Sequence, residues 1–448
     1  MGGSEQNTMA TQAATPNRRM LLSSLIEARV QTDALFEMVR PEALYDRPIP
    51  ERHRIVFYVG HLEAFDWNLL SGPCGLTSHR PAFDRLFAFG IDPVGGGLPA
   101  DLPHDWPPIR DVNEYRARVR QALDRLIETA PLPDDGEGSF EQLLNVAIEH
   151  RLMHAETLAY MFHQMPFERK QGAAAARAFR GSPFAPEGVI VPAGRTTLGL
   201  RRDSRSFGWD NEFEARIVDV PEFTIDRYKV TNGQFLAFLE TGGYDDRALW
   251  TAADWDWKTA QRIAHPAFWV RHGDAWAYRS MFDEIPLPLD WPVYTSHAEA
   301  SAYARWVNQS LPTEAQWHRA AYATQGNRER QYPWGDEQPP ILSQYPLSDA
   351  WDPAPVNASV LGASAFAVEG LLANGWEWTS TQFAPLPGFR PFACYPGYSA
   401  QFFDGKHYVL KGGSVRTASC MLRRSFRNWF QPHYQYAYAG FRCASALD

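Results

Sequence analysis

Across residues 141–165, Leu143, Ala147, Leu158 and Met161 recur at spacings of three and four, which predicts an amphipathic helix with one buried face. His150 and His154 fall on that same face, one helical turn apart. Leu21, Leu22, Leu25, Ile26 and Leu35 predict an earlier helix over residues 18–40. Tyr58, His61, Phe65 and Leu69 form one stripe over residues 51–70. A glycine- and proline-rich loop over residues 90–108 precedes a further helix over residues 111–129. Four helices of this kind predict a bundle, a fold that builds metal sites from inward side chains on facing helices.

Beyond Phe167 the helical period is lost. Residues 167–186 are rich in alanine, arginine, glycine and serine and read as a linker. Short strand-like runs then alternate with turns, for example residues 188–194 and 223–228, with short helices predicted at 231–241 and 296–310. The expected organisation is a polar, disordered leader over residues 1–17, a helical bundle over 18–166, the linker, and a mixed domain over 187–448.

Composition narrows the class. At 448 residues the chain accommodates two cores, and 45% hydrophobic with 21% charged residues excludes wholesale disorder. Sixteen tryptophans and 34 prolines point to an irregular, loop-rich second half. A net charge of -9 argues against a nucleic-acid binder, whose affinity comes from cationic surface. The leader has no apolar signal core and no membrane span appears, so the cytoplasm is the expected compartment. Cys74, Cys394, Cys420 and Cys443 lack CxxC spacing and read as buried thiols outside any disulfide or zinc knuckle.

The candidate chemistry is metal binding. His61 lies on the apolar stripe of its helix and adds a third imidazole to His150 and His154. Three neutral imidazoles leave open positions on Fe(II), and zinc accepts the same set, so the pattern does not name the metal. The alternative is a group of core histidines satisfied by neighbours. Glu63 and Glu156 each follow a candidate ligand by two residues; surface glutamates are the favoured reading, outer hydrogen-bond partners the other.

The second half carries specific phrases: Val191-Pro192-Ala193-Gly194, Tyr228-Lys229-Val230-Thr231-Asn232, Leu311-Pro312-Thr313-Glu314-Ala315-Gln316-Trp317, Tyr332-Pro333-Trp334-Gly335-Asp336, Asn374-Gly375-Trp376-Glu377-Trp378-Thr379, Lys411-Gly412-Gly413-Ser414 and Gly440-Phe441-Arg442. Together they resemble the formylglycine-generating-enzyme (sulfatase-modifying factor) fold over residues 187–446, an irregular C-type-lectin-like mixture of helix and strand. That family places two copper cysteines after the GGS phrase. Here Thr417 and Leu422 stand there and Cys420 is alone, which argues against that activity.

Joined to a DinB-like bundle, the arrangement resembles the EgtB-like sulfoxide synthases of ergothioneine biosynthesis. Gly60-His61-Leu62 and His150-Arg151-Leu152-Met153-His154-Ala155-Glu156-Thr157 match that family's ligand motifs. The resemblance implies an α+β chain with Fe(II) held by His61, His150 and His154. It also implies hercynine or a related histidine derivative as substrate, a thiol donor and dioxygen, with C–S bond formation at imidazole C2 and oxidation to the sulfoxide. Arg423, Arg424, Arg427, Asn428 and Trp429 lie in the segment the family turns toward the iron, and Asn428 and Trp429 match positions that contact hercynine.

Some positions depart from the pattern. Phe430 and Tyr434 stand where members using γ-glutamylcysteine have aspartate and arginine, so free cysteine or a less charged donor fits better. Met153 replaces a glutamine before the last ligand. The catalytic tyrosine aligns with Leu386 and a tyrosine pair of other members with Gly90-Ile91, leaving Tyr395 and Tyr398 as candidate replacements. Three readings stay open: a sulfoxide synthase, a selenoneine synthase resembling SenA that takes selenium from a selenosugar or a relative acting on unmethylated histidine, and a non-catalytic metal- or ligand-binding protein.

Overall fold

The computed structural model describes residues 16–88, 99–129, 136–172, 185–204, 206–346, 350–358 and 361–447. The expected leader up to residue 15, linker residues 173–184 and Gly90-Ile91 lie outside them. The chain divides into two compact units, Met1–Leu152 and Met153–Asp448.

The first unit is helical: α1 (Pro16–Glu37), α2 (Ile55–Leu70), α3 (Pro81–Leu86), α4 (Ile109–Thr129) and the first half of α5 (Phe140–Gln164). Helix α2 is no one-sided stripe, since 14 of its 16 residues are buried. A helix apolar all round belongs in the middle of a bundle, and α2 packs against both α3 and α4. Its buried charges are matched: Glu63 receives Arg120 at 2.7 Å and Arg151 at 3.3 Å, and Asp66 receives Arg151 at 2.8 Å. The short α3 went unpredicted because six residues carry too little periodicity, although Pro81 at its first turn is a start signal.

The second unit begins inside α5. It holds α6 (Asn232–Glu240), α7 (Ala252–Gln261), α8 (His297–Trp306) and α9 (Glu314–Tyr322) among small sheets. One antiparallel sheet is ordered β1 (Gly188–Val191), β4 (Phe223–Asp226), β12 (Ala444–Ala446). Another runs β10 (Asn428–Phe430), β9 (Tyr408–Lys411), β8 (Trp376–Gln382), β11 (Ala439–Gly440), with β11 parallel to β8. A hairpin pairs β2 (Gly194–Leu198) with β3 (Arg216–Val220), and β5 (Trp269–His272), β6 (Ala275–Arg279) and β7 (Glu284–Pro286) form a meander.

The recognised phrases meet in this unit's core. Glu377 of β8, fully buried, receives Arg442 at 2.6 Å, Trp317 Nε1 at 2.9 Å and Lys229 at 3.1 Å. Burial alone would raise its pKa, but the two cations outweigh that and hold it below the usual carboxylate range. The Thr313-Glu314-Ala315-Gln316 phrase is a capping box that starts α9, and Thr231 with Gln234 starts α6 in the same way.

None of the four cysteines is disulfide-bonded, yet only Cys443 is buried; Cys74 and Cys394 are half-buried and Cys420 is exposed, which corrects the expectation of buried thiols.

Candidate metal centre

His61 is placed by the residue before it. A Cβ at Gly60 would come within 2.6 Å of the Phe87 ring, so only glycine lets that ring lie against α2. The Phe87 carbonyl then lies 2.7 Å from His61 Nδ1. A carbonyl only accepts, so Nδ1 carries the proton and the Nε2 lone pair is left for a ligand bond. His61 stacks on Phe57 at 4.8 Å and is buried, and burial lowers its pKa to about 4, keeping the ring neutral.

Helix α5 supplies the other two rings. Residues four apart share a helix face, and His150 and His154 are both buried. His150 lies over Phe65 at 3.4 Å between ring centroids and 5.3 Å from His61. The division between the units falls inside α5, so His154 is carried by the same helix as His150. His61, His150 and His154 each offer a ligand atom, all within 4.8 Å of one another, and this is the metal-competent group among the described residues. Nitrogens bound to one ion at about 2.1 Å sit at most about 4.2 Å apart, so small side-chain adjustments close the set on a single metal. Three buried imidazoles are a donor set for iron or zinc.

The neighbouring glutamates are not surface residues. Glu63 is 1% exposed; burial would raise its pKa, but Arg151, Arg120 and Arg116 outweigh it and bring it down to about 2. Glu156 is 8% exposed, and its carboxylate accepts from Trp376 Nε1 at 2.8 Å, Ser414 Oγ at 2.5 Å and Thr417 Oγ1 at 2.8 Å. Burial pushes its pKa up against those donors. Neither reads as surface charge.

Met153, half-buried, accepts a hydrogen bond at Sδ from Tyr398 Oη at 3.4 Å. Tyr398 stacks on the fully buried Trp209 at 3.9 Å, and its chain neighbour Ser399 donates to Asp210 at 2.6 Å. Tyr395 lies 5.7 Å from Tyr398, ring to ring. Leu386, at the aligned tyrosine position, is buried near Gly199.

The three arginines of the expected binding segment are each engaged by a carboxylate. Arg423 Nε reaches Glu212 at 2.9 Å, Arg427 Nε reaches Glu314 at 2.9 Å, and Arg424 reaches Glu329 at 3.1 Å. Asn428, Trp429 and Phe430 form β10; Trp429 stacks on Phe383 at 4.2 Å and meets Tyr398 edge-on at 5.3 Å. Phe430 and Tyr434 stack face to face at 4.9 Å. Trp209, Asp210, Glu212 and Arg416, which lies over Trp351 at 4.1 Å, had no part in the sequence reading. The polar run Asp210-Asn211-Glu212 beside a tryptophan was the available signal; its partners lie too far along the chain for any period to pair them.

A model of the sulfatase-modifying factor enzyme 1-like domain matches residues 175–447, and one of the DinB superfamily matches residues 24–158. The chain is 34% identical to a hercynine oxygenase of Mycolicibacterium thermoresistibile over 98% of this chain and 97% of that one. It is 37% identical to a hercynine oxygenase of Mycolicibacterium smegmatis over 95% and 99%. Ergothioneine biosynthesis protein 1 of Neurospora crassa is 26% identical over 92% of this chain and 56% of that protein. No helix among the described residues is long and apolar enough to cross a membrane.

Proposed function

From the premise that this chain belongs to the hercynine oxygenase family, as an oxidoreductase of the EgtB-like sulfoxide-synthase type, we propose that it joins sulfur to imidazole C2 of hercynine or a related histidine derivative, using iron(II) held by His61, His150 and His154. Family membership sets aside the reading of a binding protein without turnover. The observation that carries the proposal is the buried imidazole triad on α2 and α5.

The reaction balances without an external reductant. The C2–H and thiol S–H bonds break, a C–S bond forms, one atom of dioxygen becomes the sulfoxide oxygen and the other leaves as water with both hydrogens. When bound, the iron supplies a cationic point where a substrate imidazole and a thiolate meet beside dioxygen, and coordination lowers the pKa of the thiol. The chain's own residues do the rest. Phe87 fixes His61 in the Nδ1–H form, which leaves its Nε2 lone pair for a metal that the triad would hold. Tyr398 Oη, bonded to the Met153 thioether one residue before a ligand, holds the exchangeable proton, and Tyr395 is its neighbour in the ring cluster. Asn428 and Trp429 contact hercynine, whose trimethylammonium group is held on an aromatic face.

The donor is the finer question. Phe430 and Tyr434 stack on each other where a charged dipeptide thiol would need ion pairs. That supports free cysteine, and it favours as a second reading a neutral selenosugar with a C–Se bond in place of C–S. The test is anaerobic loading with Fe(II), then admission of air with hercynine and cysteine, γ-glutamylcysteine or a selenosugar in separate vessels. The expected result is oxygen uptake with a C2-substituted imidazole from cysteine or the selenosugar and little from γ-glutamylcysteine. Failure with all three donors would overturn the proposal.

A further inference from the structure

Within the second unit, the latter half of α5 is tied to two other segments through a single side chain. Glu156 stands two residues after His154, and its two carboxylate oxygens accept three hydrogen bonds from buried donors. Trp376 Nε1 and Ser414 Oγ bond Oε1 at 2.8 and 2.5 Å, and Thr417 Oγ1 bonds Oε2 at 2.8 Å. Trp376 opens β8, while Ser414 and Thr417 belong to the turn after β9. That turn is shaped for the purpose. Gly412 and Gly413 have φ of 95° and 152°, and a Cβ at Gly413 would collide with Leu422 at 2.3 Å. Thr417 Oγ1 also accepts the Ser414 backbone N–H at 2.8 Å, so its own proton is directed to Glu156.

We infer that Glu156 is a positioning residue for the metal: its three bonds fix the height and rotation of the last turns of α5, and thereby where His154 presents its nitrogen. The lever is short. Glu156 and His154 ride on neighbouring positions of one rigid helix, so a small turn of α5 at Glu156 carries His154 with it and changes its distance to His61. The side-chain hydrogen bonds of Ser414 and Thr417 run to Glu156 and within their own turn, so their route to the metal is through Glu156.

The inference rests on the reading that the triad holds a metal, and the test separates the two. Co(II) replaces iron as the probe, titrated anaerobically into the full-length protein and followed by its d–d bands. Wild type is expected to take up one equivalent and H154A none; retention by H154A would overturn the triad reading itself. The double variant S414A/T417V removes two donors without touching α5, and is expected to weaken Co(II) binding about tenfold and to shift the bands, while circular dichroism and the unfolding midpoint show it folded. E156Q keeps the shape and most of the hydrogen bonds, and is expected to stay within about threefold of wild type. A folded S414A/T417V with wild-type Co(II) affinity and spectrum would overturn the positioning role.

Discussion

Two of the three ligand histidines, His61 on α2 and His154 on α5, have a glutamate two residues further on, but the two glutamates are satisfied in opposite ways. Glu63 on α2 is surrounded by the guanidinium groups of Arg120, Arg116 and Arg151. Glu156 on α5 meets an indole and two hydroxyls, all neutral. Charge held by charge inside a bundle is stiff, because losing one partner strands the others in a medium that cannot solvate them. A carboxylate whose hydrogen-bond donors are neutral gives up only the longer-range attraction of Arg416 when it is exchanged for an amide. The turn at His61 is therefore anchored rigidly, and the turn at His154 is seated by bonds that local changes can adjust.

The comparison presupposes that both turns serve one ion, and the largest expected effect tests that. Alanine at His61, His150 or His154 should each abolish stoichiometric iron binding, read by metal analysis after anaerobic loading and desalting. Full iron in H61A would remove the α2 turn from the site and leave only the α5 pair. Full iron in all three variants would remove the triad.

Next in size is the contrast between the glutamates themselves. E63Q leaves Arg151, fully buried, with Asp66 as its remaining anion. Removing one partner of such a network costs about 3–5 kcal/mol, whereas E156Q, which keeps neutral hydrogen-bond partners and gives up only the longer-range attraction of Arg416, should cost less, about 1 kcal/mol. Urea unfolding of the two variants under identical conditions measures both. Equal losses would mean that the arginine cluster is solvated in solution and that the two turns do not differ as described.

The triad was legible before any coordinates because periodicity alone places His61, His150 and His154 on apolar helix faces. What surrounds them was not. The stripe assigned to α2 was too narrow: a helix buried on nearly every side carries polar residues, such as Glu63 and Asp66, whose partners sit on other helices and leave no periodic trace. In the second half, phrases carrying Lys229, Trp317, Glu377 and Arg442 were readable as words, while their convergence on one buried carboxylate depends on tertiary contacts that no local pattern encodes. The same holds for Trp209 under Tyr398 and for Glu212 with Arg423, pairs drawn from distant segments of the second unit. Arg423, Arg424 and Arg427 could be read from sequence as substrate partners or as structural arginines, and their partners could not be named because the glutamates that hold them are scattered among Glu212, Glu314 and Glu329.

The smallest expected change in stability sharpens the comparison on the α5 side. Tyr398 donates to a thioether, a weak acceptor, and its ring is held independently by the stack on Trp209. Y398F should then unfold within about 1 kcal/mol of wild type, since stack and volume are kept. Co(II) affinity should not change either, because the hydroxyl bonds the Met153 thioether. Turnover should behave differently: loss of a positioned proton donor costs about 10²–10⁴-fold in rate, so kcat should fall by at least about a hundredfold while KM for hercynine stays within about twofold. Y395F, as control, should keep most of its activity if Tyr398 holds the proton. If Y398F turned over at the wild-type rate, Tyr398 would be left as packing for Met153, and the proton would have to come from another group, Tyr395 being the first to test. If Y398F lost metal as well as rate, its hydroxyl would belong to the seating of α5 beside Glu156, and the α5 turn would be held by more than the three neutral donors that distinguish it from the turn at His61.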